Sequence, residues 1–492
     1  MNLSVNNACF TLNSMPMVIP ATFVCDPLAL AVVPIHPAYR LAVWIGSILL
    51  LLVGLVVISL RYPAAAKRTA LSIWGHKLVL FLVVMAASGA TFLYFGDNTR
   101  PTTASSDLLA DQEWPLDRGG LRRLGVAANS SGPTAGAVQW AYDRRGEAFY
   151  GSPSVAGRYV FAVGSQDDRG RIYCFDQRGG EVVWSCSPPD YMATFSSPVI
   201  AGQFLYCGEG LHHARQARVV CIDLRPGRAG RLVWMFRTNH HVECTPVVEQ
   251  GRVYFGAGDD GIYCLDGANV VAGSPQLVFH APGEKYPDVE TSLVVHDGRL
   301  YAGLGIGGAA LCVLDADTGA EIKRLPMPYP VFGPPSIDRG KLYVGLGDGN
   351  FVNPNKTRAG QVCCVDLATL EIDWTYEVPG PVMGAVAVAD DRLFFGASDG
   401  FAYALTTGGQ LVAKTDCRAA VACSPAVAEA FVFVVNESGT MFWLDRNTLH
   451  IHRELTLGHG GRFTSSPVAA GERAFVGTEN HGFICVGSAD EK

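Results

Sequence analysis

One opening phrase recurs eight times in this chain. It reads "GSPSVAGRYVFAVG" from 151, "SSPVIAGQFLYCG" from 196, "CTPVVEQGRVYFG" from 244 and "TSLVVHDGRLYAG" from 291. It returns as "GPPSIDRGKLYVG" from 333, "MGAVAVADDRLFFG" from 383, "CSPAVAEAFVFVV" from 423 and "SSPVAAGERAFVG" from 465. Positions 153, 198, 246, 293, 335, 385, 425 and 467 mark the copies, so neighbours lie 40 to 50 residues apart. A period of that length, with several short strands per copy, specifies a propeller. One copy makes one sheet that cannot bury its own faces, and stacking the copies around an axis buries them all.

Each copy parses physically. The first strand begins at Ser-Pro, a place where a missing N–H is tolerated. An Ala-Gly or Asp-Gly turn leads into a second strand of alternating aromatic and branched residues. The third strand ends in Asp, at Asp176, Asp223, Asp266, Asp315, Asp366 and Asp445. In "DADTG" at 315–319 the Asp caps a tight turn and the Gly takes the left-handed position. The fourth strand ends near Trp184, Trp234 or Trp374. Cys174, Cys221, Cys264, Cys364 and Cys485 share one slot just before that Asp position, which predicts small apolar residues packed between neighbouring sheets. Equivalent slots point the same way rather than at each other, so disulfides between them are not expected. The eighth copy ends at Val486 before a fourth strand. "AVQWAYDRR" at 137–145 supplies one, with Trp140 in the tryptophan position, and so closes the ring and removes its edges.

The N-terminal part has another character. Residues 41–60 are twenty without a charge, and 78–95 are eighteen more, lengths that suit membrane spans. Arg61, Lys67, Arg68 and Lys77 fall between them, whereas the first 39 residues carry only Asp26. The positive-inside rule then leaves the N-terminus and everything after the second span outside the cytoplasm, on the outer side of a bacterial inner membrane. The expected organisation is an extracytoplasmic segment over 1–39, a two-helix membrane anchor over 40–96, a linker over 97–113 and the propeller over 114–492. The fold class is therefore all-β: an eight-bladed β-propeller preceded by two transmembrane α-helices. A formal net charge of -7 argues against a nucleic-acid partner, since phosphate binding needs a basic face.

The "SPVV…G.VYVG…G.IYCLD…G….W" unit, with the lead-in "WPLDRGGLRRLGVA" at 114–127, resembles the pyrroloquinoline-quinone-like eight-bladed propellers. The resemblance covers roughly residues 114–488 and implies one of two roles. One branch, the quinoprotein dehydrogenases, holds pyrroloquinoline quinone and calcium on the ring axis. The other, the BamB-like propellers, binds proteins without catalysis. This chain has no CxxCH haem motif after the repeats and few long insertions, the main ones at 208–218 and 349–360. Cys363-Cys364 resembles the adjacent-cysteine pair of some quinoproteins but lies inside a third strand, where neighbours face opposite ways. A non-catalytic scaffold with a protein partner, in envelope or outer-membrane protein assembly, is the expected role.

Loops joining fourth to first strands share one face with those joining second to third strands. His212, His213, His240, His241, His459 and His481 fall there, and imidazoles suit zinc or copper. Glu243 and Glu290 occupy the same slot in adjacent blades, two residues before the Ser or Thr of the opening phrase. Two such carboxylates raise one pKa or share a cation. Three uses of this face stay open: a protein-binding surface, a quinone–calcium site at Glu243 and Glu290, and a histidine-lined metal site.

Overall fold

Alternating branched and aromatic residues between turn residues build short strands, and here they do so in regular sets of four. The computed structural model describes residues 114–487 apart from 128, 129, 135, 145, 349–358 and 461. Among the described residues there are eight four-stranded sheets. Blades 1 to 4 start at Ser154–Ala156, Val199–Ala201, Val247–Glu249 and Val294–His296, and blades 5 to 7 at Ser336–Asp338, Ala387–Ala389 and Ala426–Val427. Blade 8 combines Val468–Ala470, Arg473–Gly477 and Phe483–Gly487 with Ala137–Tyr142 as its outer strand. The spans expected at 41–60 and 78–95 lie outside the described residues. Among the described residues no helix is long and apolar enough to cross a membrane.

The seam read from the sequence is present in detail. Trp140 sits opposite Cys485, as Trp184 sits opposite Cys174, Trp234 opposite Cys221 and Trp374 opposite Cys364. Each tryptophan also grips the next blade. The Trp140 indole N–H donates to the Gln177 carbonyl at 3.0 Å, and Trp374 does the same to Thr407 at 3.0 Å. Beneath Trp140 lies Gly180 at φ +76°, where an added Cβ would stand 2.5 Å from the indole. The turn glycine is thus demanded by the neighbouring blade as well as by its own turn. The cysteines fill the gaps between sheets: Cys174 packs with Ile200 and Leu205 of blade 2. Cys363 and Cys364 face opposite sides, one towards Tyr301 and Val313 of blade 4 and the other towards Leu393 and Phe395 of blade 6. The twelve cysteines among the described residues are buried with free thiols. Cys417 and Cys423 point apart, towards the carbonyls of Thr415 and Val435.

The lead-in at 114–127 takes a course that the repeat does not dictate. It tours the inner strands. Trp114 pairs with Val155 of blade 1, and the Pro115 carbonyl accepts from Ile200 of blade 2 at 2.7 Å. Further along, the carbonyls of Arg122, Leu124 and Gly125 accept from Ile337, Val388 and Val427 of blades 5, 6 and 7 at 3.0, 2.9 and 2.8 Å. Blades 3 and 4 are reached by the fully buried Arg123, whose Nη2 donates to Thr245 O at 3.3 Å and Nε to Leu293 O at 3.0 Å. Asp117 balances its charge at 3.5 Å. Gly132 N–H, bonded to Gly471 O at 3.1 Å, completes the circuit at blade 8.

A second circle runs through the hydroxyls of the opening phrase. Backbone N–H groups of Ser152, Ser197 and Thr245 donate to the side-chain oxygens of Ser197, Thr245 and Ser292 at 2.9, 3.2 and 2.9 Å. Ser424 donates to Ser466 at 3.0 Å, and Ser466 to Ser152 at 3.1 Å across the seam. Pro334 and Ala385 stand in this position in blades 5 and 6 and have no hydroxyl to offer, but the Ala385 N–H still donates to the Ser424 hydroxyl at 2.8 Å.

Two substitutions test closure. Trp140→Ala should cost roughly 3 kcal/mol, the usual penalty for emptying a packed aromatic site, and should speed proteolysis at the seam. A melting midpoint equal to the parent's would show that the outer strand does not latch the ring. Arg123→Ala strips donors from three carbonyls, those of Asp117, Thr245 and Leu293, and should cost on the order of 3 kcal/mol in denaturant unfolding. The exposed neighbour Arg122→Ala should stay within about 0.5 kcal/mol.

Candidate functional site

The slot two residues before the opening-phrase hydroxyl holds Tyr150, Phe195, Glu243, Glu290, Phe332, Met383, Ala422 and Thr464 in successive blades. Ring geometry brings neighbours in this slot together. Tyr150 and Phe195 have ring centroids 4.9 Å apart. Glu243 and Glu290 meet beside His212 and His241, with one ligand atom from each of the four lying within 4.8 Å of the others.

Three loops supply the four groups. His241 and Glu243 come from the connection between blades 2 and 3, and Glu290 from that between blades 3 and 4. His212 comes from the insertion between Phe204–Gly208 and Ala217–Asp223 of blade 2. That insertion is clamped at its base. Glu209, fully buried, takes Arg218 Nε at 2.5 Å and Nη2 at 3.0 Å, and also the Met192 N–H at 3.0 Å. Arg218 in turn donates to the carbonyls of Pro189 and Asp190 at 2.7 and 2.5 Å. The loop therefore leaves the sheet in a fixed direction and carries His212 over blade 3 to blade 4. His212 Nδ1 lies 2.5 Å from Glu290 Oε1, and His241 Nε2 lies 3.2 Å from the same oxygen. The two imidazoles are 5.1 Å apart between ring centres. The His212 side chain is 70% exposed and that of His241 only 4%, so the site is open on one side and walled on the other. Gly258, at φ +51°, leaves the room that the His241 ring fills; an added Cβ would stand 2.7 Å from it.

Charge is arranged unevenly here. Burial, and then the Glu290 charge, push the Glu243 carboxyl well above the ordinary carboxylate range. Its Oε1 is sealed from solvent with no hydrogen-bond partner. Burial acts on Glu290 in the same sense, but hydrogen bonds and charge from His241 and His212 outweigh it and hold this carboxyl below the usual range. Asp288, which accepts the Ile306 N–H, is pushed up to about 6 by burial and by Glu290. Two nearby acids driven apart in pKa are suited to holding a proton or a cation between them.

The other histidines singled out in the sequence go elsewhere. His213 turns the opposite way from His212 and reaches Asp168 at 3.8 Å, both side chains exposed. His240 has its ring 6.1 Å from that of His241 but offers nothing to the cluster. His481 pairs with the His459 carbonyl at 2.8 Å, in the blade 7–8 region. A cavity of about 550 Å³ beside the lead-in segment is lined by Arg118, Leu121, Arg122, Leu124, Glu249 and His296, none of which the sequence reading proposed. Glu209 and Arg218 were likewise missed. The length of the 208–218 insertion was the only signal, and it does not say which acid meets which base.

Residues 127–229, 168–272 and 347–491 match the family model described as outer membrane protein assembly factor BamB, and together they take in more than half of the chain. The chain belongs to this propeller family. BamB from Moraxella catarrhalis superposes with a TM-score of 0.55 at 13% identity, over 73% of this chain and 99% of that one. The computationally designed Ika8 protein gives 0.55 at 14% identity, over 71% and 99%. At such identities the likeness is one of fold. A 1-butanol dehydrogenase (cytochrome c) of Thauera butanivorans is 29% identical over 136 residues, 24% of this chain and 19% of the relative. The match thus spans about a fifth of that curated protein's length.

Glu209→Ala would leave Arg218 buried without its counter-charge, an arrangement that costs about 3–5 kcal/mol. Trypsin should then cut the loop at Arg215 faster than in the parent. An unchanged cleavage rate would mean that the clamp does not set the loop.

Proposed function

We propose that the chain is a non-catalytic binding propeller of the BamB type, displayed outside the cytoplasmic membrane on two N-terminal spans, 41–60 and 78–95, with its partner on the His212–Glu290 face. The observation that carries this reading is the composition of the inner rim. Phe195, packed at a tilt against Tyr150, is 36% exposed on one side of the acidic pair, and Ile306 is 53% exposed on the other. Apolar anchors beside partly buried charges, on loops held by a rigid ring, are the pattern of a protein-binding hot spot. Residues Arg61, Lys67, Arg68 and Lys77 support the orientation.

A photo-crosslinking amino acid placed in cells at Phe195, and separately at Ile306, should yield an adduct with one and the same protein. The same probe at Asp297, in a hairpin turn on the opposite face, should not. No adduct at either rim position, or adducts at Asp297 alone, would sink the reading. A reporter fused after Lys492 should be active only outside the cytoplasm.

The Thauera butanivorans match favours a second reading, in which Glu243 and Glu290 hold calcium beneath pyrroloquinoline quinone on the axis. Quinone added with calcium to the full-length chain should then give saturable heat and a spectral change. Absence of both ends the dehydrogenase reading.

A further inference from the structure

We infer that His212, His241, Glu243 and Glu290 form a binding site for one divalent transition metal, zinc by preference, which ties the blade 2 insertion to blade 4. Three observations converge. The first is geometry. Ligands of a tetrahedral zinc ion, with bonds of about 2.0–2.2 Å, stand roughly 3.4 Å from one another. The four groups bracket that separation, from 2.5 Å between His212 Nδ1 and Glu290 Oε1 to the 4.8 Å limit of the set. A shift of up to about an ångström, mainly of the exposed His212, converts one arrangement into the other.

The second is an unmet acceptor. Glu243 Oε1 is buried inside the cluster with no donor. A buried carboxylate oxygen without a partner is costly, and the hydrogen bond that the Glu243 carboxyl accepts from the His212 backbone leaves Oε1 unserved. Six of the eight blades use a residue without a carboxylate in the same slot. A cation beside Glu243 and Glu290 gives both carboxylates a shared counter-charge.

The third is the donor set. Two imidazole nitrogens with two carboxylates suit zinc and its first-row neighbours, whereas calcium and magnesium prefer oxygen throughout. The buried thiols lie outside this set. The ligands also come from three separate loops, so the metal would cross-link blade 2, blade 3 and blade 4 on the face where an aromatic pair is presented. The inference is independent of the scaffold reading, because metal binding is read with no partner present.

The test strips the full-length chain with chelator and titrates it with Zn²⁺ alone by calorimetry, and with Co²⁺ followed by visible absorption. One equivalent of Zn²⁺ should bind and displace Co²⁺, whose spectrum should show nitrogen and oxygen ligation without a thiolate charge-transfer band. Glu243→Gln, which keeps the side-chain shape, and the exposed His212→Ala should each weaken binding by more than about a hundredfold, beyond the loss typical of outer-shell changes. Both should melt like the parent in the absence of metal, so lost binding cannot be ascribed to lost folding. His213→Ala and His459→Ala should change affinity by less than about twofold, since neither touches the cluster. No saturable Zn²⁺ binding, binding indifferent to Glu243→Gln and His212→Ala, or Ca²⁺ that Zn²⁺ fails to displace overturns the inference.

Discussion

Closure of the ring governs everything else in this molecule. A sheet in a propeller has two faces to cover, and a row of sheets can cover them all only if the last meets the first. One stretch, from Trp114 to Tyr142, does this twice. Its first half threads the inner strands in blade order, and its second half becomes the outer strand of blade 8. The repeats supply identical bricks, but this stretch alone touches the whole circle. The fully buried Arg123 is tolerated on it because its charged fork satisfies carbonyls that repeated apolar residues would leave bare.

The blades were legible because their rules are local. Strand alternation, the Asp-to-Gly turn and the Cys opposite Trp all operate within one copy, and eight copies average out the noise in any one. The same grammar identified Trp140 as a displaced fourth-strand residue. The inward path of 114–127 was not legible, because its contacts lie up to 307 residues away, as for Arg118 with the Pro425 carbonyl, and no periodicity announces them.

The site was half legible. Slot equivalence singled out Glu243 and Glu290, and they do meet. Histidine counting could not separate His212 from His213, or His241 from His240. In an extended loop neighbours point to opposite sides, and which side faces the axis depends on an anchor such as Glu209–Arg218. His212 and Glu290 are 78 positions apart in sequence and belong to blades that are not neighbours. Only the curvature of the ring puts them in contact. Membership of a family fixes the scaffold and leaves the work to such loops.

The hydroxyl circle has an uneven consequence. Six links run from blade 6 through blades 7, 8, 1, 2 and 3 to blade 4, whereas Pro334, with neither a hydroxyl nor an N–H, leaves blade 5 outside that stitching. Blade 5 leans instead on Ser336, whose hydroxyl is shared between the Arg123 and Val386 carbonyls at 2.8 and 2.7 Å. An eightfold design in sequence is thus broken at one place: around a single proline the ring exchanges its shared stitch for hydroxyl-to-carbonyl bonds of a different kind, Thr291 to Val331 on one side and Ser336 to Val386 on the other.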